Sequence, residues 1–109
     1  MSSPLVVLAF FRAKPEHLAE LCAALAELIR ATRREPGCLR YDLHVAADDP
    51  TSFVMIEQWA TPAALEFHMA QPHTQAAFAK MSDWLAEKVQ VSRWTVCELH
   101  QLTSAQRGI

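Results

Sequence analysis

Six side chains that suit acid–base chemistry or aromatic recognition lie within residues 35–78. An imidazole titrates near neutral pH, so a histidine here can accept or donate a proton during a reaction. A carboxylate from a neighbouring element can orient such a histidine by accepting a hydrogen bond from its ring. Nearly every residue able to carry out chemistry is in this block: Tyr41, His44, Glu57, Trp59, His68 and His73.

The first half of this block predicts a β-hairpin. Cys38 to Val45 alternates in side-chain character, which places one set of residues on each face of a strand. Phe53 to Trp59 is a second run rich in strand formers, and it is apolar on both faces except at Glu57 and Gln58. The turn residues Asp48-Asp49-Pro50 stand between the two runs.

Two helical regions flank this hairpin. An amphipathic helix is predicted to begin at Pro15 and to end before Pro36-Gly37, because apolar residues recur at helical spacing between them. After the hairpin, Thr61 and Pro62 are typical of a helix N-terminus. Pro72 interrupts that helix, so a second helical segment is expected to follow it.

The outer elements complete an α+β fold. Leu5 to Phe11 predicts a first strand and Val91 to Leu102 a last one, which gives the order βαββαβ of a ferredoxin-like antiparallel sheet. Helices cover only one face of such a sheet, yet the first and third strands are apolar on both faces, so we expect a homodimer. One domain is predicted over residues 1–102, with residues 103–109 as a flexible or partner-contacting tail.

Composition bears on the partners and the location that we expect for this protein. The chain has 109 residues, of which 51% are hydrophobic, and a formal charge of −2 without a basic run, so no nucleic-acid partner is expected. No apolar stretch approaches the ~20 residues of a membrane span, so no membrane association is expected. Three cysteines without a metal-binding spacing indicate reduced thiols in a cytoplasmic protein.

The order of short motifs resembles the antibiotic biosynthesis monooxygenase (ABM) domain family over about residues 5–99. The matching motifs are E-P-G-C-x-x-Y, then E-x-W, then H-x-x-x-x-H. Each motif alone has low specificity, whereas the three in this order and spacing are more specific. The positions that carry them are Glu35, Pro36, Gly37, Cys38, Tyr41, Glu57, Trp59, His68 and His73.

The resemblance implies a dimeric α+β barrel with a pocket between sheet and helices in each subunit. In several members it implies the cofactor-free oxidation of an electron-rich aromatic, such as a quinol, by molecular oxygen. The haem-degrading branch carries an asparagine on the first strand, a tryptophan where this chain has His68, and an axial histidine where it has Phe78. This chain has no asparagine on its first strand and differs at the other two positions, which argues against haem degradation. No flavin, haem or metal cofactor is expected.

His68, Glu57 and Tyr41 are the predicted catalytic residues. The helical position of His68 directs it toward the sheet, where it can act as a general base on a phenol or serve as a hydrogen-bonded core residue. Glu57 interrupts an apolar strand and needs a partner, for which His68, Arg40 and Arg93 are candidates. Tyr41 can present its hydroxyl to a substrate oxygen or pack in the core.

The predicted substrate-binding residues are mostly aromatic or apolar, as either a quinol pocket or a core requires. His73 is among them because it follows the family pattern, although its position at the start of the second helical segment favours a surface or capping residue over a catalyst. No metal site is expected, since His68 and His73 are five positions apart with Pro72 between them. The substrate-binding set is Trp59, His73, Phe78, Met81 and Trp84.

The sequence thus favours a cofactor-independent monooxygenase that acts on a small aromatic, a quinol or polyketide-like phenol, with O2. Two alternatives share the same fold, because fold does not determine function. One is a non-catalytic dimeric module that binds a small ligand. The other is an enzyme that degrades or isomerises a phosphorylated signalling metabolite, for which Arg40 and Arg93 are candidate anchors.

Overall fold

The computed structural model describes residues 4–107, and side chains as far as Thr103. Four strands and four helices follow one another, and a short 3-10 turn at Pro15–His17 precedes the first helix. None of the helices in the described range is long and apolar enough to cross a membrane. The elements are β1 (Leu5–Arg12), α1 (Leu18–Thr32), β2 (Cys38–Ala46), β3 (Asp49–Trp59), α2 (Pro62–Ala70), α3 (Pro72–Met81), β4 (Gln90–Trp94) and α4 (Leu99–Arg107).

The strands form one antiparallel sheet in the order β2-β3-β1-β4. This order confirms the predicted ferredoxin-like α+β fold. In the central pair, Val7 of β1 lies opposite Glu57 of β3, and Tyr41 of β2 lies opposite Glu57 on its other side. Directly opposed residues share a face, so these three side chains point to the same side of the sheet.

Apolar side chains from the sheet and from α1 form the core. Val7, Ala9 and Phe11 alternate along β1 and are all buried. On α1, the buried residues Leu21, Leu25 and Leu28 recur at helical spacing, so α1 presents an apolar stripe to that face of the sheet. Burial of these side chains is the main source of fold stability.

The opposite face of the sheet is also apolar at its centre. Opposed pairs there include Leu8 with Ile56 and Phe10 with Val54. Phe10 is 48% exposed and Trp94, at the end of β4, is 54% exposed. This second face therefore presents large apolar side chains to solvent in the single chain.

The turn between α1 and β2 brings Glu35 close to α2. Gly37 has a φ of +81°, a region that favours glycine, and a Cβ at this position would lie 2.6 Å from the Cβ of Ala64 on α2. The Ala60 N–H donates to the Gly37 carbonyl at 2.8 Å, which ties the turn to the end of β3. The E-P-G motif is thus a close packing contact between this turn and α2.

The last strand is shorter than predicted. β4 ends at Trp94, because its partner β1 begins at Leu5 and Trp94 already lies opposite Val6. The predicted strand to Leu102 is therefore wrong, and Leu99–Arg107 is helical instead. Contact between this C-terminal segment and a partner stays a prediction, and residues 108–109 lie outside the described residues.

The hairpin also differs from the prediction in detail. β3 begins at Asp49 rather than Phe53. A register shift between Cys38 and Arg40 interrupts the alternation of β2. Leu39, which was expected on the same face as Tyr41, is 57% exposed at this irregularity, because a bulge breaks the period of two.

Candidate active site

Two histidines share one buried carboxylate. The Nδ1 atom of His68 lies 2.8 Å from Oε2 of Glu35, and the Nε2 atom of His73 lies 2.6 Å from the same oxygen. Glu35 and His68 have side chains that are 4% and 2% exposed, whereas the His73 side chain is 32% exposed. The trio therefore extends from a half-exposed imidazole to a buried one.

Three different elements position this trio. His68 lies in the last turn of α2. Thr61 caps the N-terminus of this helix by accepting a hydrogen bond from the Ala64 N–H at 3.1 Å. His73 lies at the start of α3, just after the break at Pro72. Glu35 comes from the turn after α1, so its contact with the histidines depends on the packing of that turn against α2.

Aromatic rings flank the buried imidazole. The ring centroid of His68 lies 4.7 Å from that of Trp59 and 5.6 Å from that of Tyr41. Trp59 and Tyr41 contact each other edge to face, with centroids 6.3 Å apart. His68 thus has the Glu35 carboxylate at Nδ1 and an aromatic environment around its ring.

The hydrogen bond from Nδ1 determines the tautomer of His68. A carboxylate accepts, so Nδ1 carries the ring proton and Nε2 of the neutral ring keeps its lone pair. Burial lowers the pKa of His68, and this effect outweighs the hydrogen bond to Glu35 and the charge of Glu35, which raise the pKa. His68 is therefore a neutral imidazole at pH 7, with Nε2 able to accept a proton.

Glu57 is a second buried carboxylate in the same region, at 5% exposure. Its Oε1 atom accepts a hydrogen bond from Nε1 of Trp59 at 2.9 Å. Burial, and then the charge of Glu35, raise the pKa of Glu57 to about 7, although the Trp59 hydrogen bond lowers it. Burial, followed by the charge of Glu57, also raises the pKa of Tyr41, so its phenol remains a proton donor.

Five of the predicted site residues come together with Glu35, and we call this set of six the histidine cluster. Sequence reasoning proposed other partners for Glu57 and did not identify Glu35 as the partner of His68. Arg40 instead pairs with Asp42 at 2.8 Å, and Arg93 is exposed, so neither arginine pairs with Glu57. The histidine cluster consists of Glu35, Tyr41, Glu57, Trp59, His68 and His73.

The other three predicted substrate-binding residues lie apart from this cluster. Met81 is fully buried in the core, and Trp84 packs partly buried against it. Phe78 stacks with Phe11 at a centroid distance of 6.4 Å and lines a cavity of about 390 Å³. These residues therefore form an apolar region that is separate from the two histidines.

Cavities reach the histidine cluster at two edges. One, of about 210 Å³, is lined by Tyr41, Cys38 and Arg33 among others. The other, of about 340 Å³, lies between α1 and α3 and is lined by His73. His68 and Trp59 are 2% and 0% exposed. The space around them, between sheet and helices, is therefore filled by side chains of the cluster.

The two histidines were not expected to form a preformed metal site, because of their spacing. The structure adds Glu35 between them, and the ligand atoms of Glu35, His68 and His73 all lie within 4.8 Å of one another. The spacing of the histidines alone does not show this grouping, because the third member comes from 33 residues earlier in the chain.

A family model and solved structures match this chain. The family model described as antibiotic biosynthesis monooxygenase matches residues 4–80. The solved structure of PA3566 from Pseudomonas aeruginosa is 37% identical, with a TM-score of 0.81 over 90% of this chain and 98% of that one. The structure of Rv0793 from Mycobacterium tuberculosis is 32% identical, with a TM-score of 0.83 over 88% and 97%.

One curated relative carries a substrate class in its name. The Escherichia coli protein named "Probable quinol monooxygenase YgiN" is 32% identical in an alignment of 82 positions, and the match covers 66% of this chain and 79% of that protein. These matches confirm the resemblance that the order of the three motifs indicated.

Proposed function

Because the chain belongs to the antibiotic biosynthesis monooxygenase family, we propose that it oxidises a small aromatic, a quinol or polyketide-like phenol, with O2 and without a cofactor. The family and the YgiN relative support a monooxygenase-type function. The observation that carries the finer proposal is the buried, neutral His68 that Glu35 holds beside two aromatic rings.

His68 is the proposed general base. A phenol placed against Nε2 loses its proton to the imidazole, and the imidazolium that forms is stabilised by the Glu35 carboxylate at Nδ1. The resulting phenolate is electron-rich enough to pass an electron to O2. The protein supplies deprotonation, orientation and the exclusion of water.

The overall reaction balances without an external reductant. A hydroquinone and one O2 give a hydroxyquinone and one water, so the substrate supplies all of the electrons that reduce oxygen. One oxygen atom forms a new bond to a ring carbon, and the other leaves as water with two protons.

Tyr41 and Glu57 are the proposed supporting residues. The Tyr41 phenol stays protonated because burial raises its pKa, so it can donate a hydrogen bond to a substrate oxygen. Glu57 has a pKa of about 7 and lies in the same environment, which suits a group that exchanges a proton near neutral pH. The cavity lined by Tyr41 is the proposed entrance for the phenolic edge of the substrate.

The uncovered sheet face supports a homodimer in which two sheets pack face to face. Phe10 and Trp94 are about half exposed there, beside Leu8 and Ile56 at the centre of the sheet. A second copy would bury this apolar surface through a self-complementary contact. Size exclusion coupled to light scattering tests the dimer, and a monodisperse monomer at micromolar concentration would contradict it.

Oxygen uptake by metal-stripped protein, against a panel of hydroquinones and phenols, tests the proposed activity. With ¹⁸O2, we expect one labelled oxygen atom in the product and none from water. Tryptophan fluorescence on the same panel separates binding from turnover. Binding without oxygen uptake by any compound would favour the non-catalytic ligand-binding module instead.

A further inference from the structure

We propose that Glu35, His68 and His73 bind one divalent transition-metal ion of the zinc type, and that the bound ion blocks proton transfer at His68. Two imidazole nitrogens and a carboxylate oxygen lie within 4.8 Å of one another in a chain for which sequence spacing gave no metal site. The binding part of this inference is independent of the proposed function, whereas the blocking part rests on it.

The donor set and its spacing fit such an ion. Two histidines and one carboxylate are the ligands of many zinc sites, and they suit other first-row divalent ions. At metal–ligand distances of about 2.0–2.2 Å, the ligand atoms of a tetrahedral ion lie about 3.3–3.6 Å apart. The present distances from Glu35 Oε2 are 2.8 Å to His68 and 2.6 Å to His73, and the three ligand atoms span up to 4.8 Å. To admit an ion, the carboxylate would move outward by about 0.5–1 Å and the two imidazole nitrogens would move closer together.

The second oxygen of Glu35 provides an independent observation. Oε1 is buried and has no hydrogen-bond partner among the described residues, whereas Oε2 accepts from both imidazoles. A buried carboxylate oxygen without a partner is costly. An ion between the three side chains that also contacts Oε1 would remove that cost.

An ion also has a route to this site. The His73 side chain is 32% exposed and lines the cavity of about 340 Å³ between α1 and α3. Glu27 is exposed at the same cavity and attracts cations, although Lys80 lies there too and weakens the attraction. The remaining coordination positions of the ion would face this cavity and hold water.

Metal binding and base catalysis exclude each other at His68. An ion on Nδ1 takes the lone pair of that nitrogen, so the proton of the neutral ring moves to Nε2. No proton is gained or lost in this change, but Nε2 no longer has a lone pair with which to accept a phenolic proton. Zinc is therefore expected to inhibit the proposed oxidation rather than support it.

Titration with CoCl2 and ZnCl2 tests binding directly. Metal-stripped protein should develop visible Co²⁺ bands that saturate at one ion per chain, and calorimetry with Zn²⁺ should give the same stoichiometry. His73→Ala and Glu35→Gln should each weaken metal binding by at least about 10–100-fold. Mutation of a group that only orients a metal ligand already has this effect, and these two residues are proposed as ligands themselves. Both variants are checked for folding by circular dichroism and thermal melts.

A surface pair provides the matched control. His17 Nδ1 lies 2.8 Å from Glu20 Oε2, the same distance as in the buried pair, but both side chains are exposed. His17→Ala should leave Co²⁺ and Zn²⁺ binding unchanged. Binding that survives His73→Ala in folded protein, or that is lost in His17→Ala, would overturn the site.

Oxygen uptake then separates this inference from the proposed function. Zn²⁺ should inhibit turnover by the wild type at the concentration that saturates the calorimetric site, and His73→Ala should resist inhibition. Cobalt bands without turnover of any substrate would leave the metal site standing and remove the proposed oxidation. Turnover without cobalt bands would support the proposed oxidation and remove the metal site. Full activity of protein whose metal site is saturated would overturn the blocking role.

Discussion

The two ends of the helix layer differ in the side chains that they bury. At one end the histidine cluster contains buried titratable groups that pack against one another, close to Val7 of β1. At the other end Phe78, beside Phe11 of β1, lines a cavity of about 390 Å³ together with Leu85 and Val89. Phe11 is four residues beyond Val7 along β1, which corresponds to about 13 Å.

This difference shows that the titratable side chains and the Phe78 cavity are not in the same place. The histidine cluster has a buried base with cavities only at its edges, whereas none of the described residues that line the Phe78 cavity is a buried titratable side chain. Activity should therefore depend on the cluster, and changes at the Phe78 cavity should affect mainly stability. Four substitutions test this division.

His68→Ala should have the largest effect, because it removes the proposed base. We expect kcat to fall by ~10²-fold or more, the usual contribution of a positioned acid or base. The cavity and the unpaired Glu35 should cost roughly 1–3 kcal/mol of stability, so melts and turnover are measured on the same preparation. The control is His17→Ala, at an exposed histidine just before α1. An equally active but less stable His68→Ala would remove the catalytic role.

Local sequence signals predicted the elements that carry His68. Thr61 and Pro62 begin α2 as expected, since a cap and a first-turn proline act within a few residues. The hairpin and the break at Pro72 were also predictable, because alternation and proline geometry are local properties.

The partner of His68 was not predictable in the same way. Glu35 lies 33 residues away, and its contact depends on the approach of Gly37 to Ala64, which no local pattern encodes. The end of β4 at Trp94 has a similar cause, since it depends on where β1 begins. Non-local packing therefore determined both the central contact of the site and the main error in the fold.

Glu57→Gln should change how stability depends on pH. The pKa of Glu57 is raised from 4.5 to about 7, so the folded protein binds more protons than the unfolded chain between these values. The wild type should thus lose stability relative to Glu57→Gln as pH rises from about 4.5 to 7, by up to ~3 kcal/mol. The glutamine amide oxygen of the variant still provides an acceptor for Nε1 of Trp59.

Urea unfolding at pH 5, 6, 7 and 8 measures this difference. Subtracting the variant from the wild type cancels the contribution of His68, whose lowered pKa acts in the opposite direction over part of the range. Glu66→Gln, at an exposed glutamate on α2, changes the same charge and should show no comparable slope. A flat difference for Glu57→Gln would mean that its carboxyl is not buried in solution.

Glu35→Gln should have a smaller effect on catalysis. The amide oxygen can still accept from Nδ1 of His68, so the tautomer is retained, but the charge that stabilises the imidazolium is lost. A charge-assisted hydrogen bond exceeds a neutral one by ~1 kcal/mol, which corresponds to roughly a 5–10-fold lower kcat. The loss of the carboxylate should also lower the pKa of His68 further, since Glu35 raises it.

The pH profile distinguishes this positioning role from a structural one. The acidic limb of kcat/KM should move to lower pH in Glu35→Gln, because His68 then loses its proton at lower pH. Glu20→Gln removes the carboxylate of the surface pair with His17 and should leave both kcat and the profile unchanged. A fall in activity that merely follows the loss of folded protein would indicate that Glu35 only braces the turn.

Phe78→Leu should have the smallest effect. Phe78 is partly buried against the core, and leucine is a smaller apolar replacement, so the loss of stability should stay below ~1.5 kcal/mol. Because Phe78 lies about one and a half helical turns beyond His73 on α3, a substrate held at His68 should not contact it. Both kcat and KM should therefore remain within about twofold of the wild type. The control is Phe67→Leu, at an α2 residue that is 47% exposed, and it should behave in the same way.

A KM raised by tenfold at unchanged kcat in Phe78→Leu would show instead that the Phe78 cavity holds part of the substrate, since one lost apolar contact in a binding pocket has about that effect.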